Sequence, residues 1–226
     1  MREKRLVIDD IPVRLCDPGA RRGLLLLGHG GGQSKDSERP VALARRFAAE
    51  TGLSVVCIDA VDHGERRPNA PGPGLPAGWH STVMPRMVED WRKTAAALGE
   101  LGPPLAYVGF SMGMIFGAPT AAALPSVAAV VLGMGGIPAG GWIDDPALDD
   151  LLLEAALELG GRQVLMLNVT GDAFFPIAGV HRFFDAIPGD AKRLLFRAGR
   201  HDEWSPGAID ESIAFVNAHV HGEPVR

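Results

Sequence analysis

Short apolar runs recur along this 226-residue chain, and stretches with helical patterning lie between most of them. The runs are continuously apolar rather than alternating, as in Leu24–Leu27, which indicates strands that are covered on both faces. Residues 38–52 have the pattern of an amphipathic helix that ends at a glycine. Strands that alternate with helices predict an α/β fold with a mostly parallel central sheet and helices on both faces.

Three segments depart from this alternation. The first two apolar runs, between residues 5 and 16, predict an opening hairpin. Residues 61–80 are rich in proline and glycine and predict a long surface loop, followed by a helix capped by Ser81 with Pro85 in its first turn. Residues 137–160 predict a loop and an acidic helix whose aspartates face solvent (Asp144, Asp145, Asp149 and Asp150). Neither insertion is large enough for a second domain, so we expect residues 1–226 to form one domain.

Charge and cysteine content exclude several classes of protein. The formal net charge is −5 and no block of lysine or arginine occurs, which argues against a nucleic-acid interface. No apolar run approaches the roughly 18 residues of a membrane span. Cys16 and Cys57 lie in or beside apolar runs and are predicted to be buried free thiols. We therefore expect a cytoplasmic protein with no membrane partner.

The sequence GFSMG places Ser111 between Gly109 and Gly113, after a predicted strand and before a predicted helix. This G-x-S-x-G pattern in strand–turn–helix context is typical of a nucleophile elbow, where the turn projects the hydroxyl beyond the sheet. The flanking residues must be small because larger side chains would collide with the strand and helix. The alternative is a serine that only caps the helix.

A serine nucleophile needs a base and a carboxylate that orients the base. His201 lies in a polar loop between the last apolar strand and the last helix, so we expect it to be the base. Asp172 ends the preceding apolar strand and is the expected acid, whereas Asp202 adjoins His201 too closely to reach its far nitrogen. His80, at a loop–helix junction, could line the rim.

The oxyanion would need backbone N–H donors. We expect one from Met112, immediately after the serine, and one from the glycine-rich segment GHGGG, where Gly31 is preferred and Gly30 is the alternative. That segment lacks the third glycine of a dinucleotide fingerprint and the lysine of a phosphate-binding P-loop. We therefore expect no nucleotide cofactor.

These motifs, in the order HGGG, DHGE, GFSMG, GD and HDE, resemble those of the α/β-hydrolase superfamily from about Leu24 onward. The small size without a cap domain is similar to its dienelactone-hydrolase-like and prolyl-oligopeptidase-like esterase branches. The resemblance implies that Ser111 is the nucleophile, Asp172 the acid and His201 the base, with Gly31 and Met112 in the oxyanion hole. It also implies that His63, in the DHGE turn, is structural.

Two departures from those branches narrow the expected substrate. Dienelactone hydrolases proper have a cysteine where this chain has Ser111, which argues against dienelactones. Peptidase relatives carry a gating domain that is absent here, which argues against peptides. A metal site at Asp59, Asp62 and His63 lacks a recognisable ligand spacing, so no metal or other cofactor is expected.

The sequence therefore predicts a serine esterase that acts on a small-molecule ester, with the 61–80 and 137–160 segments flanking its active site. A thioesterase, a lactonase, an acyltransferase and a non-catalytic ligand-binding protein on the same scaffold are the alternatives. The residues expected to bind substrate lie near strand ends or in inserted loops. They are Gly30, Trp79, Met114, Trp142 and Phe174, with Met134, Phe175 and Trp204 as further candidates for core or rim.

Overall fold

The computed structural model describes residues 1–68, 76–138, 143, 145–203 and 205–220. Its strands are β1 (Arg2–Ile8), β2 (Ile11–Asp17), β3 (Leu24–Gly28), β4 (Ser54–Ile58), β5 (Pro104–Phe110), β6 (Ala129–Gly133), β7 (Gln163–Val169) and β8 (Lys192–Arg197). Its α-helices are α1 (Glu38–Thr51), α2 (Trp79–Ala97), α3 (Met112–Ala123), α4 (Pro146–Glu158), α5 (Ile177–Ala186) and α6 (Pro206–Val220).

The strands form one sheet in the order β1-β2-β4-β3-β5-β6-β7-β8. The first two strands make an antiparallel hairpin whose turn residues, Asp9 and Asp10, both have positive φ, as a type I′ turn requires. Strand β2 is antiparallel to β4, and all later neighbours are parallel. The predicted fold class, a mostly parallel sheet in an α/β fold, is confirmed.

Helices cover both faces of the sheet and bury a core on each. Leu24 and Leu26 on β3 belong to the larger core, beneath α2, α3, α4 and α5. Leu25 and Leu27 belong to the other core, beneath α1 and α6. Because successive side chains of a strand point to opposite faces, covering both faces requires every residue of β3 to be apolar. This burial explains the continuous apolar runs in the sequence.

The predicted start of α2 and the predicted exposure of Asp145 are wrong, and one contact joins the two segments. Helix α2 begins at Trp79, so Ser81 lies inside its first turn and Pro85 lies further into the helix. The Asp145 carboxylate accepts a hydrogen bond of 2.7 Å from the Ser81 backbone N–H and is only 5% exposed. A carboxylate at a helix N-terminus satisfies an N–H that lacks an intrahelical acceptor. Asp145 therefore stabilises α2 and does not face solvent.

Cys16 and Cys57 are free and buried, as the sequence predicts. Burial raises the pKa of both thiols. In the part of the chain that the structure describes, no helix combines the length and apolar character that crossing a bilayer requires.

Gly117 tests how closely α3 packs on the sheet. A Cβ there would lie 2.1 Å from the buried ring of Tyr107 on β5, so Gly117→Ala should destabilise the fold by about 1–3 kcal/mol through overpacking. Gly99→Ala is the matched control, because a Cβ at Gly99 would meet no atom within 4 Å. Urea unfolding of both variants measures the difference, and equal stabilities would contradict the close packing.

Candidate active site

Ser111 occupies the turn between β5 and α3. Its φ of 57° and ψ of −123° lie outside the regions that non-glycine residues usually adopt, which costs on the order of 1–3 kcal/mol. The turn is held by a 2.9 Å hydrogen bond from the Ser111 N–H to the carbonyl of Gly133. Cβ atoms on Gly109 and Gly113 would lie 2.2 Å and 2.5 Å from backbone oxygens, so both flanking positions require glycine.

His201 joins Ser111 to Asp172 through hydrogen bonds at both ring nitrogens. Its Nε2 lies 2.8 Å from Ser111 Oγ, and its Nδ1 lies 2.7 Å from Asp172 Oδ2. An ionised carboxylate can only accept, so Nδ1 carries the proton and Nε2 is free to accept the serine proton. The imidazole is flanked by the rings of Phe174 and Phe175, at 4.6 Å and 5.8 Å between centroids.

Asp172 is buried and held in place by several donors. Its side chain is 1% exposed, and Oδ1 accepts hydrogen bonds of 2.8 Å and 3.0 Å from the N–H groups of Phe174 and Phe175. Burial of the carboxyl group would raise its pKa, but the hydrogen bonds from His201 and these two N–H groups outweigh burial and lower it. Asp172 is therefore ionised at neutral pH and can orient the imidazole.

Gly31 and Met112, the residues expected to supply oxyanion donors, both line the cavity at Ser111. Met112 is the first residue of α3, so its N–H has no acceptor within the helix. Gly31 follows β3 and lines the cavity at Ser111. By contrast, the Gly30 N–H donates to Gln33 Oε1 at 3.2 Å, and Gly30 borders a neighbouring crevice. Of the two glycines, Gly31 thus has the better position.

A cavity of about 720 Å³ opens in front of Ser111. This volume lies within the roughly 300–1,000 Å³ of typical small-molecule sites. Most of the wall is glycine or apolar side chain, and none of the described lining residues is Lys, Arg, Asp or Glu. The lining residues are Gly31, Gly32, His63, Pro76, Ala77, Gly78, His80, Ser111, Met112, Ile115, Ile143, Phe174, Phe175 and His201.

The structure brings only some of the predicted binding residues to this cavity. Phe174 lines it. Trp79 instead packs among other rings, 4% exposed, with Nε1 donating to Asp62 at 2.7 Å. Met114 is completely buried on the inner side of α3. Trp142 and Trp204 lie outside the described residues.

Sequence reasoning missed part of the wall. Ile115 could have been found, because it follows Ser111 by four residues and therefore shares its face of α3. The sequence resemblance implies only a structural role for His63, yet this residue lines the cavity. The sequence predicts that the 137–160 insertion flanks the site, but no local pattern singles out Ile143 within it.

The DHGE turn and the glycine-rich loop are tied together by a buried ion pair. Asp59 is fully buried and accepts bonds from Lys35 N at 2.8 Å, Lys35 Nζ at 3.0 Å and Glu65 N at 2.9 Å. Burial would lower the pKa of Lys35, but its bonds to Glu65 and Asp59 outweigh burial and raise it, so Lys35 stays protonated. Gly64 must lack a side chain because its Cβ would lie 2.3 Å from the Asp59 carboxyl group.

The conceivable metal ligands Asp59, Asp62 and His63 each have another partner: Lys35, Trp79 and the Val61 carbonyl, respectively. Among the residues placed by the structure, no group of three or more His, Cys, Asp or Glu side chains is arranged to hold a metal ion.

The chain is similar to solved structures but not to any known sequence family. No known family's sequence profile matches the chain, and no curated protein matches it. Among solved structures, a cold-adapted esterase from an Arctic intertidal metagenomic library is similar over 95% of this chain and 93% of its own, with a TM-score of 0.77 and 24% identity. TT1662 from Thermus thermophilus matches over 98% and 99%, with a TM-score of 0.80 and 24% identity.

The chain has the α/β-hydrolase fold. A third structure with this fold, a puromycin-hydrolysing peptidase from Mycobacterium tuberculosis, has a TM-score of 0.75 and 17% identity. The match covers 99% of this chain but only 41% of the peptidase. At these identities the likeness establishes the fold, and the superfamily resemblance seen in the sequence agrees with it.

His29 makes the stability of the protein depend on pH. The ring is 4% exposed, Nδ1 donates to the Gly30 carbonyl at 2.9 Å and Nε2 accepts the Ala60 N–H at 3.0 Å. Burial lowers the pKa of His29 from 6.5 to about 4, so the native ring stays neutral. Between those two pH values the unfolded chain binds the proton and the folded chain does not, so stability is lost as the pH falls.

We expect this one group to reduce the free energy of unfolding by about 3 kcal/mol between pH 7 and pH 4. His29→Gln removes the titration while offering an oxygen to the Ala60 N–H. Urea unfolding at both pH values should therefore show a smaller acid loss in the variant than in the wild type. Equal losses in the two proteins would contradict the lowered pKa of His29 in the folded state.

Proposed function

We propose that this protein is a serine hydrolase that cleaves a carboxylic ester through an acyl-enzyme on Ser111. The observation that carries the proposal is the chain of hydrogen bonds from Ser111 Oγ through the His201 ring to Asp172, at 2.8 Å and 2.7 Å, inside a cavity. A serine that only caps a helix needs neither an imidazole at its hydroxyl nor a buried carboxylate behind that imidazole.

The reaction would proceed in two halves. His201 Nε2 takes the Ser111 proton as Oγ attacks the ester carbonyl, and the tetrahedral intermediate collapses when His201 gives that proton to the leaving alcohol. Water then attacks the acyl-enzyme with His201 again as the base, which releases the acid and restores the serine. Asp172, ionised and buried, stabilises the imidazolium that forms in each half.

The N–H groups of Gly31 and Met112 would hold the oxyanion in both halves. They belong to different loops, one after β3 and one at the start of α3, which the parallel pairing of β3 with β5 brings to the same edge of the sheet. The N-terminus of α3 adds a favourable dipole at the same point. Pre-positioned donors of this kind need no reorganisation as the negative charge develops.

An ester is the preferred carbonyl substrate because of the cavity and the structural relatives. The described walls are mostly apolar, which suits an uncharged acyl or alcohol group. The Arctic metagenomic protein is an esterase and the mycobacterial one a peptidase, so both hydrolyse bonds to a carbonyl group. Assays with matched esters, thioesters, lactones and acceptor alcohols would separate esterase activity from its alternatives.

The two free buried cysteines favour a cytoplasmic location for the protein.

Removal of the nucleophile is the first test. Ser111→Ala should lower kcat for p-nitrophenyl butyrate by at least about 10³-fold and abolish labelling by a fluorophosphonate, because no acyl-enzyme can form. Ser126→Ala is the matched control, since Ser126 is exposed in the turn before β6, at the opposite edge of the sheet. Turnover that survives in the Ser111 variant would exclude this mechanism.

Two substitutions at Gly31 separate the loss of its backbone N–H from the addition of a side chain. Gly31→Pro deletes the donor and should lower kcat by about 10²–10³-fold. Gly31→Ala keeps the donor, and its Cβ would meet no atom within 4 Å, so it should retain far more activity. The ratio of the two kcat values is the measurement. Similar values for both variants would exclude the Gly31 N–H as an oxyanion donor.

A further inference from the structure

His63 stands in the cavity wall with a fixed ring orientation. Its Nδ1 lies 2.9 Å from the carbonyl oxygen of Val61. A carbonyl oxygen only accepts hydrogen bonds, so Nδ1 donates, and in the neutral ring Nε2 carries the lone pair. The ring is 4% exposed and lies against His29 and Trp79, with centroids 5.5 Å and 5.6 Å away.

The second nitrogen of His63 is open to the cavity. Nε2 makes no hydrogen bond to any residue that the structure describes. A polar atom that lacks a partner is either fully buried or accessible. In the described residues the fully buried ones are Arg162 Nε and Asn168 Nδ2, so His63 Nε2 is accessible. It therefore reaches open space, and the space that this ring borders is the cavity at Ser111. A ligand there meets a hydrogen-bond acceptor.

His80 provides a second polar group in the same wall. Its ring lies 5.0 Å from Trp79 and 6.2 Å from Phe116, edge-on to the first and stacked on the second. Burial lowers the pKa of His80 more than the Asp145 carboxylate raises it, so the ring is neutral at neutral pH. It then has one donor and one acceptor nitrogen, and neither is bonded within the described chain.

Trp79 fixes both imidazoles relative to each other. Its indole touches the His63 ring and the His80 ring, and its Nε1–H is held by Asp62 at 2.7 Å. The indole is buried against Phe116, with centroids 5.7 Å apart. Polar groups that are positioned before a ligand arrives cost little to order on binding.

We propose that His63 and His80 form a polar subsite that binds a hydroxyl group on the ester substrate, in its acyl or its alcohol part. A hydroxyl can donate a hydrogen bond to His63 Nε2 and accept one from the N–H of His80. The substrate class is therefore an uncharged, hydroxylated ester, because a charged group would lose its hydration against the mostly apolar walls, in which none of the described lining residues is Lys, Arg, Asp or Glu. This inference rests on the proposed function, since it concerns the same cavity.

Two matched pairs of esters test the subsite. p-Nitrophenyl 3-hydroxybutyrate against p-nitrophenyl butyrate examines the acyl part, and glycerol monobutyrate against propyl butyrate examines the alcohol part. The wild type should favour the hydroxylated member of at least one pair by about tenfold or more in kcat/KM, the effect of one buried hydrogen bond. Ratios near one for both pairs would overturn the subsite.

Two substitutions at His63 separate its nitrogens. In His63→Asn the side-chain amide can still donate to Val61 but nothing replaces Nε2, whereas the longer amide of His63→Gln places an oxygen near the Nε2 position. The hydroxyl preference should fall toward one in the asparagine variant and persist in part in the glutamine variant. Thermal unfolding checks that both variants fold. If either fails to fold, His80→Phe provides a second test: it breaks no hydrogen bond within the described chain and should lower the preference for the hydroxylated ester. A preference unchanged in all folded variants would contradict the assignment.

Binding to Ser111→Ala separates failure of this inference from failure of the proposed function. If the wild type hydrolyses none of the four esters, the proposed function is wrong. Calorimetry with the Ser111→Ala protein would then still support the subsite if a hydroxylated ester binds about tenfold more tightly than its partner. Equal dissociation constants within both pairs would overturn it.

Discussion

The backbones of β3, β5 and α3 meet at glycines, and the geometry of the candidate site depends on that contact. A Cβ on Gly113 would lie 2.5 Å from the Gly28 carbonyl oxygen, and one on Gly109 would lie 2.2 Å from the Gly113 carbonyl oxygen. Because these positions lack side chains, β5 can be followed by α3 after the single residue Ser111, whose φ is 57°. Packing of the buried helix against the sheet offsets the cost of this backbone strain.

Buried polar groups fix the loops that glycine alone would leave loose. Ordering a glycine costs more backbone entropy than ordering any other residue. His29 bonds to the Gly30 carbonyl and the Ala60 N–H, and the Lys35–Asp59 pair joins the same two loops. The loop with the expected Gly31 donor is therefore anchored beside the turn that contains His63. The proposed oxyanion donor and the proposed hydroxyl subsite would thus share one scaffold.

The sequence was sufficient to predict the sheet and the tight turn at Ser111. Continuous apolar runs identify strands because burial on both faces leaves no polar position, and GFSMG identifies the elbow because its constraints are local. Ser111, Asp172 and His201 each follow a strand whose carboxyl end lies at the same edge of a parallel sheet, so the sequence predicts that they lie close together. Their hydrogen-bonded geometry comes from the tertiary structure.

Only the tertiary structure decided which other side chains face the cavity. The sequence predicts that Trp79 and Met114 line the rim. In the structure both are buried, Trp79 at the start of α2 and Met114 on the inner side of α3. Asp145 lies in an acidic run typical of a solvated surface, yet it caps a helix more than sixty residues earlier. Apolar periodicity and tight turns depend on neighbours along the chain, so the sequence determines them. The contents of a cavity depend on contacts between distant segments, so the fold determines those.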